Sequence, residues 1–311
     1  MCDTLVDNSS NSNSSNSNSN AIRIVVVDKS KWTPCQEEWD KCVGVLNDEK
    51  EKQRIMGFKR PDSLGVWRSG KDNDSAKSSM LGRLLMIYLT RSMLDIPQST
   101  SISFQRTSSN KPFYVNNVNS NNREPSSASS FSFNVSHDSD VVVIAGSVGI
   151  QYPSSFTIGI DVMKHELPKR QPLNQYFSDM KSCFTSEEWK TISDPSLSDM
   201  DQIKMFFVHW CLKESYIKSD GKGLEIELTS FEFKLSNDKT SATMYTRQRV
   251  DIDDYEYIQD TQFKFQLLYP TLLDSNDQYI MAICVPVSPT TTIPALTKES
   301  IEFIDINKLI D

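Results

Sequence analysis

The sequence is short of positive charge and of long apolar runs. Its 33 Lys and Arg residues are outnumbered by 41 Asp and Glu, so the formal net charge is −8. A broad nucleic-acid-binding surface is usually basic, and this balance argues against one while leaving room for a small local anion pocket. Apolar runs such as residues 141–145 are far too short to cross a bilayer. We therefore expect neither a nucleic acid nor a membrane as partner.

Motifs that identify common enzyme classes are also missing. The six cysteines include no CxxC pair, the three histidines show no metal-ligand spacing, and no GxGxxG, P-loop or GxSxG pattern occurs. Most cysteines have apolar neighbours, which is typical of buried, reduced thiols. The N-terminus lacks the basic region and apolar core of a secretory leader. These features predict a soluble, cytoplasmic protein.

Three polar tracts interrupt the chain. Residues 8–20 are only Asn and Ser, which cannot bury enough apolar area to offset chain entropy, so residues 1–20 are expected to form a disordered tail. Residues 69–79 and 116–130 are also strongly polar. Long surface loops cost little stability, and we interpret both tracts as loop insertions without a function of their own.

The segments between these tracts alternate between helical and strand-like patterns. They predict helices, one of them begun by a Thr185/Glu188 capping box and a long one ended by Gly221. The pattern contains hairpins rather than regular strand–helix–strand repeats, which indicates an α+β fold. Two halves of similar plan meet near residue 150, giving a division into 21–150, 151–290 and a C-terminal extension, 291–311. The predicted helices cover 33–46, 48–58, 77–94, 185–192 and 201–219. One predicted strand begins at residue 21, two flank a turn at 137–140, one ends at Asp161, and the others follow residue 223.

The long helix carries an unusual face. Trp210, Glu214 and Lys218 follow one another at intervals of four, so all three lie on one side of it. Glu followed by Lys at this spacing is also the favoured orientation of a surface ion pair. Asp161, at the end of an apolar strand, is placed either to bind a divalent cation or to cap a turn. The pattern alone is consistent with a metal site, but also with a surface ion pair of Glu214 and Lys218 and a turn-capping role for Asp161.

Other candidates concern an anionic ligand. His137 follows Ser136 in the predicted polar turn, where it is suited either to grip a phosphate or to cap a hairpin. Arg54 stands near Lys59 and Arg60, and Arg106 near Lys111. Such local basic groups in an acidic chain suit a phosphorylated ligand, although ordinary solubility charges give the same pattern.

Taken together, four segments resemble a known family. FNVSHDSD, IGIDVM, FTSEEW and WCLKESYIKSDGKGL resemble, in this order, the signature of the 4′-phosphopantetheinyl transferases of the large, Sfp-like type. The resemblance extends over about residues 20 to 285 and is nearest to the eukaryotic aminoadipate-semialdehyde dehydrogenase phosphopantetheinyl transferases, which in fungi serve lysine biosynthesis. It implies two pseudo-symmetric α+β halves with the active site in the cleft between them. One chain then supplies both sides of the cleft, and we expect a monomer.

The resemblance also implies roles for individual residues at the reacting centre. Asp161 and Glu214 correspond to ligands of Mg²⁺, which joins them to the pyrophosphate of coenzyme A. Glu214 also corresponds to the base that takes the serine proton, directly or through a water. Lys218 corresponds to the residue that steadies the pyrophosphate. Where many bacterial members have a second acid, this chain has Met163, so two protein carboxylates and water are expected around the metal.

The remaining correspondences concern coenzyme A. Ser136 and His137 match phosphate contacts, and Arg54, Arg106 and Lys111 resemble the residues that hold the nucleotide end with its 3′-phosphate. The implied activity is transfer of 4′-phosphopantetheine from coenzyme A to a carrier-protein serine, with release of 3′,5′-ADP. Aminoadipate reductase is the expected carrier, with a fatty-acid or polyketide synthase carrier as the alternative. A metal-dependent phosphohydrolase and a non-catalytic coenzyme A-binding module are the rival functions.

Overall fold

The computed structural model of the chain describes residues 21–61, 66–115, 131–150, 156–221, 225–251, 254–272, 274–288 and 293–310. The expected disordered tail and the polar tract at 116–130 lie outside these residues. In the described part of the chain, no helix combines the length and the apolar character needed to cross a membrane.

Helices and strands are mixed, which confirms the predicted α+β class. The helices are α1 (Gln36–Val45), α2 (Glu49–Met56), α3 (Asp74–Leu94), α4 (Leu173–Met180), α5 (Ser186–Ile192), α6 (Asp199–Asp220) and α7 (Asn307–Ile310). The strands are β1 (Ala21–Asp28), β2 (Lys59–Pro61), β3 (Trp67–Ser69), β4 (Ser103–Arg106), β5 (Pro112–Val115), β6 (Phe131–Asp138), β7 (Val141–Val148), β8 (Gly159–Lys164), β9 (Phe231–Leu235), β10 (Ser241–Arg249), β11 (Tyr255–Leu268), β12 (Tyr279–Pro286) and β13 (Ile301–Phe303).

Two sheets form the centre of the molecule. The first has the strand order β13-β1-β7-β6 and the second β8-β12-β11-β10-β9. Helix α3 covers one face of the first sheet, and α6 covers β8 and β12 of the second. The opposite faces meet in a shared apolar cluster, where Val26 and Val143 of the first sheet join Ile160 and Met281 of the second. This shared core fixes one half against the other.

The C-terminal segment belongs to the first half. Strand β13 runs parallel to β1, with Ile24 opposite Ile301. Ile304, Ile306 and Leu309 then enter the core beneath α3. Residues predicted to be a C-terminal extension therefore add a strand to the first sheet and apolar side chains to its core. The sequence did not predict this strand, because its apolar run is too short to show a strand period.

The two sheets also meet edge to edge. Strands β6 and β8 are the outer strands that face each other, and alternate residues of β6 carry polar side chains that point towards β8. These side chains accept hydrogen bonds from backbone N–H groups that would otherwise be left unpaired at the edge of the second sheet. The bonds run from Ile158 N to Ser132 Oγ (3.4 Å), from Ile160 N to Asn134 Oδ1 (3.0 Å) and from Lys164 N to Asp138 Oδ2 (2.7 Å).

Three local expectations were wrong. Asp161 lies within β8 rather than at its end, because the strand continues to Lys164 in register with β12. His137 belongs to β6, and the turn is reduced to residues 139 and 140, with Ser139 in the left-handed region at φ 48°. Residues 74–79 are not a loop insertion, since the Asn73 side chain accepts a hydrogen bond from Ala76 N and begins α3 earlier than periodicity indicated. The pattern also missed β2 to β5, β10 and α4.

Helix α6 passes unusually close to the start of β8. A Cβ atom at Gly159 would lie 2.0 Å from the carbonyl oxygen of Ser215 and 2.8 Å from the backbone nitrogen of Ser219. Both atoms are helix backbone, which cannot rotate away as a side chain could. Ser219 also exchanges hydrogen bonds with Thr157, through Thr157 N to Ser219 O (3.1 Å) and Ser219 Oγ to Thr157 O (2.5 Å). Glycine at 159 therefore sets the distance between α6 and the strand that carries Asp161.

We predict that Gly159→Ala displaces α6 from β8 and lowers the free energy of unfolding by about 1–3 kcal/mol, the usual cost of overpacking. Urea denaturation followed by circular dichroism measures this change. Gly44→Ala is the matched control, because no atom lies within 4 Å of a Cβ atom there and Gly44 is within α1. That control should gain about 0.5–1 kcal/mol from helix propensity. Equal effects at the two positions would contradict the close-approach explanation.

Candidate active site

Three side chains from three elements meet at the edge where the sheets adjoin. Asp161 of β8 is buried, and its Oδ1 accepts hydrogen bonds from Ser136 Oγ of β6 at 2.8 Å and from Lys218 Nζ of α6 at 2.6 Å. Lys218 Nζ also donates to Ser136 Oγ at 2.8 Å. The close packing of α6 on β8 at Gly159 and the pairing of β6 with β8 bring this triangle together.

The second oxygen of Asp161 is the clearest sign of a bound ligand. Asp161 Oδ2 is buried and has no hydrogen-bond partner among the described residues. An unsatisfied buried carboxylate oxygen is costly unless a partner that the protein chain does not supply completes it. A hard divalent cation, which prefers oxygen ligands, is such a partner.

Glu214 provides a second carboxylate beside Asp161. It lies one helical turn before Lys218 and lines a cavity of about 250 Å³ together with Lys218, Asn134 and residues 109–112. Burial raises the pKa of Glu214, the negative charge of Asp161 raises it further, and Lys218 acts in the opposite direction. Such a carboxylate is stabilised by a cation, and its raised basicity also suits it to accept a proton.

The site supplies two carboxylates rather than three. The described residues contain no group of three or more His, Cys, Asp or Glu side chains that could hold a metal ion. Coordination by two protein carboxylates, with water and substrate oxygens completing the shell, stays a prediction. Mg²⁺ is commonly bound in this way, through one or two carboxylates together with substrate phosphates.

The interior of α6 is fixed by a buried ion pair. Lys213, fully buried, pairs with Glu188 of α5 at 2.9 Å and donates to the carbonyl oxygens of Leu228 (2.7 Å) and Phe231 (2.9 Å). Trp210 stacks on Phe206, with ring centroids 6.2 Å apart, so it packs against the core. These contacts hold the face that presents Glu214 and Lys218.

Lys111 fastens the end of the same helix. Its ammonium donates to Thr157 Oγ1 and to the carbonyl oxygens of Lys218 and Ser219, the last at 3.1 Å. Positive charge beside the last carbonyls of a helix is favourable, but burial lowers the pKa of this lysine to about 7. Lys111 therefore joins the β4–β5 turn of the first half to the C-terminal end of α6 in the second.

The other predicted residues, His137, Arg54 and Arg106, are not among the residues that line this cavity. His137 is exposed on β6, next to Ser136, and desolvation by the surrounding protein, together with the charges of Lys218 and Lys29, lowers its pKa. Arg54 and Arg106 are both paired with Glu51. The geometry is compatible with the proposed coenzyme A contacts, which stay predictions for each residue.

Sequence reasoning missed several residues that shape the site. Asn134, Glu51 and Arg83 were not singled out, and neither was the Lys213–Glu188 pair. Asn134 was detectable, since it belongs to the alternating polar series of FSFNVSHD that marks one face of a strand. Glu51 and Arg83 are 32 residues apart and meet only through tertiary structure.

Comparison with known proteins places the chain in a family. Residues 30–149 match the family model described as "4′-phosphopantetheinyl transferase, N-terminal", and residues 157–284 match that of the "4′-phosphopantetheinyl transferase superfamily". The two matches cover most of both halves, and the chain belongs to the 4′-phosphopantetheinyl transferases. This confirms the family resemblance found in the sequence.

Several curated proteins of this family are similar to the chain. The chain is 34% identical over 226 residues to the L-aminoadipate-semialdehyde dehydrogenase-phosphopantetheinyl transferase of Xenopus laevis, covering 72% of this chain and 66% of that protein. It is 37% identical over 205 residues to the human protein of the same name, covering 66% and 58%. It is 27% identical over 191 residues to 4′-phosphopantetheinyl transferase Sfp of Bacillus subtilis, covering 61% and 72%. The chain thus spans less than two thirds of the two animal relatives.

We predict that Lys213→Met lowers the free energy of unfolding by about 3–5 kcal/mol, because it leaves the buried Glu188 without its charge partner. Chemical denaturation measures the loss. Lys190→Met is the matched control, since Lys190 pairs with Glu187 at 2.6 Å on the surface and should cost only about 0–1 kcal/mol. A loss at Lys213 no larger than that at Lys190 would show that the buried pair does not hold α6.

Proposed function

We propose that the protein transfers the 4′-phosphopantetheine group of coenzyme A to a serine of a carrier protein. The serine oxygen attacks the β-phosphorus of the pyrophosphate, the bond from that phosphorus to the bridging oxygen breaks, and 3′,5′-ADP leaves. The observation that carries this proposal is the pair of Asp161 and Glu214, with one Asp161 oxygen unpartnered among the described residues, next to the Lys218 ammonium. Phosphoryl transfer depends mainly on such placement of charge.

Each group of the triangle has a task in this reaction. Lys218 can move its hydrogen bonds from Asp161 to the pyrophosphate, where its charge offsets that of the leaving 3′,5′-ADP. Ser136 keeps the Asp161 carboxylate oriented through Oδ1, and Oδ2 has no partner among the described residues. Glu214, whose pKa is raised, is placed to accept the serine proton. The same carboxylate is also a suitable metal ligand, and both roles are compatible with its position.

The carboxylate oxygens fit Mg²⁺, and Asp161 and Glu214 are the residues that would hold it. When bound, Mg²⁺ supplies positive charge that offsets the charge developing between the two phosphates. The nucleotide end of coenzyme A then extends past the turn at residues 107–111 towards Arg54 and Arg106. Arginine side chains suit a phosphate at this position.

Aminoadipate reductase is the carrier that we propose as client, with a fatty-acid or polyketide synthase carrier as the alternative. Support comes from the names of the Xenopus and human relatives, which refer to L-aminoadipate-semialdehyde dehydrogenase. We also propose a cytoplasmic location. We propose a monomer because β6 and the β4–β5 turn of one half and α6 and β8 of the other supply the site within one chain.

We predict that incubation with coenzyme A and Mg²⁺ adds one phosphopantetheine to the carrier domain of aminoadipate reductase, measured by intact-protein mass spectrometry. Fatty-acid and polyketide synthase carriers tested in parallel identify the client. Free phosphopantetheine released without a carrier would indicate a phosphohydrolase. Binding of coenzyme A without any modified carrier would indicate a non-catalytic module.

Variants of the two acids are the internal control of this experiment. Asp161→Ala and Glu214→Gln should each reduce the rate by at least about a hundredfold at saturating coenzyme A and Mg²⁺, as expected for groups that act on the transition state. Glu187→Gln, on the exposed face of α5, should leave the rate unchanged. Near-normal turnover in both acid variants would overturn the assignment of the site.

A further inference from the structure

A cluster of three arginines surrounds one nearly buried carboxylate at the far side of the 107–111 turn. Glu51 of α2 is paired with Arg54 of the same helix at 3.1 Å, with Arg83 of α3 at 2.7 Å and with Arg106 of β4 at 2.7 Å. We call Arg54, Arg83 and Arg106 the arginine cluster. Three different elements therefore converge on a single side chain.

The carboxylate is fully engaged by this cluster. Arg54 and Arg83 donate to Glu51 Oε2, at 3.2 and 2.8 Å from their Nε atoms, and Arg106 donates twice to Oε1, at 3.1 and 2.7 Å. Burial alone would raise the pKa of Glu51, but the hydrogen bonds of Arg106 and the charges of Arg83 and Arg54 outweigh it and lower the pKa. Glu51 is thus ionised, and both of its carboxylate oxygens are occupied by hydrogen bonds from the arginines.

The arginine cluster has a net positive charge that can bind an anion. Three guanidinium groups against one carboxylate leave two positive charges within the cluster. Arg83 is nearly buried, whereas the side chains of Arg54 and Arg106 are 44% and 34% exposed. The charge and the accessible N–H groups match a doubly charged phosphate monoester, which arginine recognises through parallel hydrogen bonds.

The arginine cluster is connected to the cavity that contains Glu214. Arg106 also donates to the carbonyl oxygen of Asn110 at 2.6 Å. Asn110, Ser109 and Lys111 line that cavity, so one turn has the arginine cluster on one side and the candidate active site on the other. A ligand with a pyrophosphate at the active site and a second phosphate beyond the turn can reach both.

We propose that Glu51 is a positioning residue that holds Arg54, Arg83 and Arg106 in the arrangement that recognises the 3′-phosphate of coenzyme A, and so sets the preference for coenzyme A over 3′-dephospho-coenzyme A. The proposal rests on the transferase function proposed above. Without the shared carboxylate, three like charges on long side chains repel one another and lose their common orientation. Glu51 acts through the arginines and does not itself contact the phosphate.

The test compares kcat and KM of Glu51→Gln and the unaltered chain with both substrates. The unaltered chain should prefer coenzyme A, and Glu51→Gln should raise KM for coenzyme A about tenfold while kcat at saturation stays within about twofold, as expected for lost substrate binding. KM for 3′-dephospho-coenzyme A should change little, so the preference falls by about the same factor. Glu51→Asp, which keeps the charge on a shorter side chain, should restore part of the preference.

Two controls separate the positioning role of Glu51 from a general effect of losing a charge or losing folded protein. Glu49→Gln, two residues earlier and exposed, should keep the full preference. Partial unfolding of Glu51→Gln lowers the active fraction for both substrates equally and leaves their ratio unchanged, so the ratio reports positioning alone. Binding of adenosine 3′,5′-bisphosphate and of AMP, measured by calorimetry, tests the same preference without turnover.

The outcomes distinguish this inference from the proposed function. An unaltered preference in Glu51→Gln, or tighter binding of adenosine 3′,5′-bisphosphate once the negative charge is removed, would overturn the positioning role while transfer by the unaltered chain continued. Absence of transfer and of coenzyme A binding in the unaltered chain would instead reject the proposed function. A lowered preference with partial rescue by Asp supports the positioning role.

Discussion

The close approach of α6 to Gly159 is the constraint on which the rest of the site depends. The helix backbone lies where any larger residue would place its Cβ atom, and this contact is what lets Lys218 reach Asp161 at 2.6 Å. Glu214 then faces the same cavity because it is one helical turn away on the same face. A shift of about 1 Å between helix and strand would separate a charge pair whose proposed role in catalysis depends on geometry.

The edge-to-edge contact of the two sheets supplies the third side of the site. Side chains at alternate positions of β6 satisfy the backbone N–H groups of β8, and Ser136 of the same series bonds the Asp161 carboxylate instead. Structural pairing and chemistry therefore use one strand face. Lys111 strengthens the same junction from the other end, where its ammonium contacts the last carbonyls of α6. The cleft is held by specific polar contacts at its rim and by a shared apolar core beneath it.

Much of this could be predicted from the sequence, and the reasons for the failures are physical. The long helix, its end at Gly221 and the Thr185 capping box depend on local rules, and each was correct. Short strands such as β2 to β5 have too few residues for a period to be visible. The pairing of Arg83 with Glu51 depends on α2 and α3 lying side by side, which local patterns do not encode. The role of Gly159 could not be predicted either, because the sequence does not show which element packs against a glycine in a strand.

A crystal structure of the protein with coenzyme A and Mn²⁺ would test the metal site and its two carboxylates most directly. Mn²⁺ can replace Mg²⁺, and its position can be found by anomalous scattering. We expect one strong peak at the mouth of the cavity, with oxygens of Asp161 and Glu214 as its protein ligands and pyrophosphate oxygens or water completing the shell. A metal bound elsewhere, with Asp161 Oδ2 still without a ligand while coenzyme A occupies the cleft, would contradict this assignment.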